Sequence, residues 1–206
     1  MKQLRETIRR ILLAEAAKGP VDLGDMFIEI EFTLDDYIAA SLWKIDEAGF
    51  KSRAGEVQAA PESDSCSGAY EVMWADAEGA SGFGPMLYDI AMELAGDKGL
   101  MCDRRSVSEE AARVWEFYLN SRPDVITKQL DDDRSPFLQD PEENDPSDDC
   151  NQHTFRRKTK YRNHHNASDP EFKDTFLDHW STKVYVKTGG TPILDELEAA
   201  GKVTRK

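Results

Sequence analysis

Cysteine, positive charge and long apolar runs are all scarce in this chain, and each scarcity removes a class of protein. Three cysteines in 206 residues, Cys66, Cys102 and Cys150, are an odd and thinly spread set. They make no disulfide framework, and the expectation is a reducing compartment. Basic residues number 26 against 40 acidic ones, a net charge of −14. A nucleic acid would be repelled unless the basic groups were segregated on one face, so nucleic acid is not expected as the main ligand. No segment approaches the ~20 apolar residues of a membrane span. Met1 to Lys18 reads as a charged amphipathic helix without the apolar centre of a signal peptide, and a soluble, cytoplasmic protein is expected.

What is present is a chain long enough for a core if roughly 150 residues pack together. Leu4, Ile8, Ile11, Leu12 and Ala16 share one helical face, with Lys2, Arg5, Arg9 and Arg10 elsewhere. Such a helix packs on its own domain or lies on a partner or membrane surface. Gly19-Pro20 ends it. Met26 to Phe32 alternates apolar and acidic residues, a half-buried strand. Thr33 reads as an N-cap, and Tyr37, Ile38, Ser41, Leu42 and Ile45 as a helix stopped by Gly49. Residues 50–68 are small and polar, short strands around a loop. Tyr70 to Ala75 is an extended apolar run, and Met86, Leu87, Ile90, Ala91, Leu94 and Ala95 recur at helical spacing up to Gly96.

Between that strand and that helix lies Glu78-Gly79-Ala80-Ser81-Gly82-Phe83-Gly84-Pro85. Glycines permit positive φ and close approach to the main chain, and the first helical turn then offers unpaired N–H groups and the positive end of a dipole. A pyrophosphate suits such a place. A phosphate-binding P-loop is ruled out, because Pro85 and Met86 stand where Lys and Ser/Thr are needed. A dinucleotide fold wants an acid about 20 residues on, and Asp103 follows only the short run Leu100-Met101-Cys102 in a chain whose first half does not read as βαβ. The plainest reading is a tight strand-to-helix turn in which Pro85 takes the first helical position it favours.

From Val72 to about Tyr118 the chain resembles the central part of the GNAT superfamily, the acetyl-CoA-dependent N-acetyltransferases. Their cofactor site is a strand, a loop of the form Gln/Arg-x-x-Gly-x-Gly/Ala, a helix, another strand and a second helix. Gly82 and Gly84 match the two glycines, while Gly79 stands where the family has Gln or Arg. Pro85 withdraws one N–H from the pyrophosphate turn. Ser108 to Trp115 resembles the following Asn-x-x-Ala-x-x-x-Tyr, with Ser108 for Asn and Trp115 for Tyr. An indole cannot protonate a departing thiolate, so Tyr118, one turn on, is the nearest phenol. The resemblance covers about a quarter of the chain. It implies an α+β fold, a GNAT-like central mixed sheet flanked by helices, with a charged C-terminal insertion. The expected division is an amphipathic helix over 1–19, an acyltransferase core over 20–130, a flexible charged insertion over 131–170, and a helix-strand-helix over 171–206 that packs on the core.

Beyond Tyr118 the composition shifts. From Asp131 to Asp149 lie nine carboxylates and Pro136, Pro141 and Pro146. Such a stretch buries too little apolar surface to offset its ordering entropy. The ordered spacing of a calcium loop is missing. Arg156-Arg157-Lys158-Thr159-Lys160-Tyr161-Arg162 either grips phosphates, with Phe155 and Tyr161 stacking on bases, or neutralises the acidic stretch beside it. Cys150-x-x-His153 with His164-His165 has ligand types suited to zinc but one cysteine where two are normal, and no metal is assigned. After Phe172, Phe176 and Leu177, His179 finishes a short helix whose Trp180 packs on the core. Thr182 to Lys187 alternates as a strand, and Pro192 opens a final helix through Leu194 and Leu197 to Gly201.

For an enzyme, the resemblance implies acyl transfer from acetyl-CoA to an amine. The backbone of Gly79, Gly82, Phe83 and Gly84 holds the pyrophosphate, the strand carrying Met73 and Trp74 pairs with the pantetheine arm, Glu71 or Asp76 takes the ammonium proton, and Tyr118 is the acid. The acceptor is a small molecule or a protein. A carboxylate must be desolvated or work through water to serve an amine well. The competing reading is a GNAT-like scaffold that no longer catalyses and acts as a binding or structural protein. The basic start and charged excursion also resemble, in style, proteins of large bacterial viruses.

Overall fold

A computed structural model describes residues 23–33, 36–61, 68–77, 79, 82–103, 107–130 and 179–206. The amphipathic start, the acidic and basic stretches, the Cys150/His153/His164/His165 set and Phe172 to Leu177 lie outside the described residues.

Eight strands form one mixed sheet in the order β6-β7-β5-β4-β3-β2-β1-β8. They are β1 (Met26–Phe32), β2 (Ile38–Ile45), β3 (Lys51–Pro61), β4 (Tyr70–Asp76), β5 (Leu100–Met101), β6 (Val125–Gln129), β7 (Lys183–Lys187) and β8 (Val203–Arg205). The three α-helices of the described residues are α1 (Gly84–Ala95), α2 (Glu109–Ser121) and α3 (Pro192–Ala199). The fold is α+β. β1 to β4 make an antiparallel meander, α1 crosses over to bring β5 parallel to β4, and β7 inserts antiparallel between β5 and β6. β8 closes the far edge parallel to β1. With β1–β8 and β4–β5 as the parallel pairs among the described strands, the open parallel sheet of a dinucleotide fold is not what this chain builds.

Strand β1 matches its alternation: Ile28 and Ile30 enter the main core, while Glu29 and Glu31 point to the opposite face. The segment expected as a helix from Tyr37 to Gly49 is instead β2. Ile38 and Leu42, four apart, fit a helical stripe and a strand face alike, so the pattern could not discriminate. Ala40, fully buried between them, and Ser41, turned to the other face, carry the strand's period of two. The decision is tertiary: β1's apolar face is completed by pairing Ile30 to Ala40, and Thr33 N–H donates to the Tyr37 carbonyl at 3.1 Å. The short strands expected after residue 50 are one strand of 11 residues, β3. Strands β6 and β8 were not anticipated, because Val125–Gln129 and Val203–Arg205 each show a single buried or half-buried apolar residue.

One face of the sheet carries the main core, where Leu87, Ile90 and Ala91 of α1, Trp115 of α2, and Leu194 and Leu197 of α3 meet Ile28, Ile38, Leu42, Val57 and Val72. Each fully buried side chain of this size contributes about 1.5–3 kcal/mol. The opposite face holds a smaller cluster of Ala69, Met101, Leu130, Val184 and Val186. Helix α2 starts where Ser108 Oγ accepts from Ala111 N–H at 3.2 Å, with Glu109 and Glu110 against the dipole. It stops at Arg122, extended because Pro123 follows. His179 does not finish a helix among the described residues. It caps the 3₁₀ turn Trp180–Thr182 through Ser181 N–H, and Trp180 packs on the core as expected.

Candidate functional site

Strand β4 is paired unequally on its two sides among the described residues. On the β3 side it is paired throughout, whereas on the β5 side the register runs only over Tyr70 with Leu100 and Glu71 with Met101. Among the described residues that register does not extend to Val72, Met73 or Trp74. On the other side Trp74 pairs with Gln58 but Val72 with Ala59, so Met73 is the extra residue of a bulge. That bulge has a geometric consequence. Glu71 and Asp76 are an odd number apart and in a regular strand would face opposite ways; their partners Ala60 and Glu56 are an even number apart. Both carboxylates therefore point to the face away from the main core, and Trp74 between them does the same. Met73 and Trp74 are 58% and 54% exposed.

The mouth of α1 follows β4 in the chain and lies on the core face. Gly82 takes φ +88°, a conformation glycine reaches at little cost. Phe83 is the N-cap but supplies no side-chain cap, the first turn holds no acid, and Pro85 has no N–H. Leu87 N–H is the first to find a carbonyl within the helix, that of Phe83 at 3.2 Å. Among the described residues no acceptor meets the N–H of Gly84 or Met86. The mouth thus presents free amide donors and a helix dipole with nothing of its own to satisfy them. Gly79 has another part: a Cβ there would lie 3.0 Å from the Ala54 backbone, so this glycine lets the loop pack against β3.

Tyr118 stands apart from these residues. It is 1% exposed, and its hydroxyl donates to Pro85 O at 2.8 Å with Asp89 Oδ1 at 3.1 Å. Burial and the neighbouring Asp89 hold the phenol well above its ordinary pKa. Trp115 is buried between Tyr88 and Tyr185, with ring centroids 5.2 and 4.8 Å away.

Missed from the sequence is an ionic network on the side of α1. Asp89 accepts from Arg122 at 3.0 Å, Arg122 clamps Asp124 with two donors, and Lys187 Nζ lies 3.9 Å from Asp89. Burial raises the Asp89 carboxyl, while hydrogen bonding from Arg122 lowers that of Asp124. Glu93, fully enclosed, accepts from Lys187 at 2.7 Å and from the N–H groups of Ile193 and Leu194 at 3.0 and 2.9 Å, capping α3 from a distance. The available signal was the i, i+4 spacing of Asp89 and Glu93 on a helix that also carries an apolar stripe. On the opposite sheet face a row of polar residues crosses four strands: Glu29, Ser41, Glu56 and Asp76 are successive register partners. Glu56 is satisfied by Ser41, Arg53 and Gln58, and Glu29 by Lys51 and Lys206.

No protein-family model, curated protein or solved structure matches the chain. Among the described residues no group of His, Cys, Asp and Glu is arranged to hold a metal ion, and no helix is long and apolar enough to cross a membrane.

Proposed function

We propose that the chain is a divergent GNAT-like N-acyltransferase that moves an acetyl group from acetyl-CoA to an amine. One observation carries this: β4 and β5 are parallel, pair over only two residue pairs among the described residues, and flank the helix that connects them, whose N-terminus has no side-chain cap. The resemblance asks for that combination of strand, glycine turn, helix, strand and helix.

The residues present fit the donor. Gly82, Phe83 and Gly84 with the Met86 N–H form the pyrophosphate cradle, and the backbone of Met73 and Trp74 offers the pantetheine arm the pairing that β5 does not. When bound, acetyl-CoA supplies an acyl thioester. On the other face Glu71 or Asp76 holds the incoming ammonium beside the Trp74 ring and accepts its proton, directly or through water. The departures are real. β1 pairs antiparallel with β2, a strand where a helix was expected, Gly79 replaces the family's Gln or Arg, and Tyr118 is buried.

Calorimetric titration with acetyl-CoA tests the reading. Binding is expected, and no interaction at ~1 mM, where a site worth about −4 kcal/mol is half filled, would remove it. Gly82→Val, which must strain a positive φ, should abolish binding while circular dichroism keeps the native spectrum. The buried phenol favours a second reading, a non-catalytic relative. Acetyl-CoA binding without transfer to any of a panel of lysine peptides, polyamines and aminoglycosides would select it.

A further inference from the structure

The mouth of α1 has little of its own to hold it in shape. Its N-cap is Phe83, its first turn contains Gly84 and a proline without an N–H, and exposed Gly82 leads into it. A cradle for an anion must be preorganised, since any ordering on binding is subtracted from affinity. The ordering comes from α2.

The Tyr118 ring is fixed among Trp115, Phe117 and Tyr185, with the Arg122 guanidinium 5.3 Å from its centroid. Its hydroxyl has one proton and two acceptors, the Pro85 carbonyl at 2.8 Å and Asp89 Oδ1 at 3.1 Å. Asp89 sits one turn beyond Pro85 on the same helix and is held by Arg122, which Asp124 clamps in turn at the entry to β6. A continuous chain of hydrogen bonds thus runs from the start of β6 through α2 to the first turn of α1. A phenol enclosed to this degree does not reach a group lying along β4, so its chemistry is to hold a carbonyl.

We propose that Tyr118 is a positioning residue: its hydroxyl, braced by Asp89 and Arg122, clamps the Pro85 carbonyl and so fixes the Gly84 and Met86 amides for an anionic ligand. For the ligand itself the inference rests on the acetyl-CoA reading, but the clamp can be tested without any ligand. In Tyr118→Phe, amide hydrogen exchange at Leu87, Tyr88 and Asp89, the first hydrogen-bonded amides of α1, should quicken about tenfold, while Ile90 to Ala95 keep their protection. Unchanged exchange at the mouth would overturn the clamp, whatever the protein binds. Should Tyr118→Phe fail to fold, 3,5-difluorotyrosine at position 118 keeps the ring and strengthens the donor. Exchange at the mouth should then slow, and no change would again refute the clamp.

The ligand arm separates positioning from acid catalysis. Tyr118→Phe should weaken acetyl-CoA binding about fivefold, the equivalent of one ordinary hydrogen bond of about 1 kcal/mol. The pH profile of transfer at saturating acetyl-CoA should keep its shape. Unaltered affinity with a collapsed kcat and a lost alkaline limb would make Tyr118 the acid instead and sink the proposal. Failure of the unsubstituted protein to bind acetyl-CoA would remove the acyltransferase reading and leave the exchange result to decide the clamp.

Discussion

His179 shows how burial turns an ordinary residue into a pH-dependent one. Its Nδ1 accepts from Ser181 N–H at 3.2 Å and lies 2.7 Å from Ser181 Oγ, and its ring packs on Trp180. Burial brings the imidazole down from 6.5 to about 4. The folded protein therefore keeps it neutral at a pH where the unfolded chain takes up a proton. Its contribution to stability is present above about pH 6.5 and is lost as the pH falls toward 4. His179→Asn keeps a capping acceptor and removes the titration. Urea midpoints between pH 7 and 4 should fall less steeply in this variant, by at most about 1.4 kcal/mol per pH unit. Equal slopes would show that the imidazole is not held neutral. Nothing in the sequence marked this, because His179 became buried only through Trp180 and the turn that follows.

At the scale of elements, the β4–α1–β5 unit was legible and its neighbours were not. The extended run of β4 and the apolar stripe of α1 are local signals, and each element stands within a few residues of its expected place. The bulge at Met73 is set by pairing with β3 and has no local sign, yet it decides that Glu71 and Asp76 share a face. The close packing of β5 is similar. Gly99, at φ +73°, leads into β5, its carbonyl accepts from Tyr70 N–H at 3.0 Å, and a Cβ there would lie 2.6 Å from Val184 Cγ1 and 2.9 Å from Tyr185 O. Gly99→Ala should cost about 2–4 kcal/mol, from backbone strain together with overpacking against β7. Gly96 also has positive φ but nothing within 4 Å of an added Cβ. Gly96→Ala should cost only the strain, about 1–3 kcal/mol since its ψ of −136° lies outside the left-handed helical region, and chemical denaturation of the pair separates the two causes. Equal losses would mean that β5 and β7 are not in close contact.

For the whole molecule, closure depends on one carboxylate. Glu93 on α1 ties Lys187 at the end of β7 to the N-terminus of α3, and α3 delivers β8 to β1. Glu93→Ala leaves the Lys187 ammonium enclosed without this partner and two helix N–H groups uncapped, at a cost of about 3–5 kcal/mol. Adding Lys187→Met should recover part of it, since removing both charges is far cheaper than stranding one. A double variant no more stable than Glu93→Ala would show that the pair is not coupled. By itself the sequence determined the strand β1, the strand–turn–helix order of β4 and α1, and the closing strand β7 and helix α3, because these rest on periodicity and turn chemistry within a few residues. Tertiary structure alone decided that residues 38–45 are a strand, that Asp89 and Glu93 face an ionic network, that the Tyr118 hydroxyl meets the first turn of α1, and that β4 carries a bulge at Met73. Each of these depends on which segments pair across long stretches of chain, and a pattern compatible with both a helix and a strand is resolved only by the partner it meets.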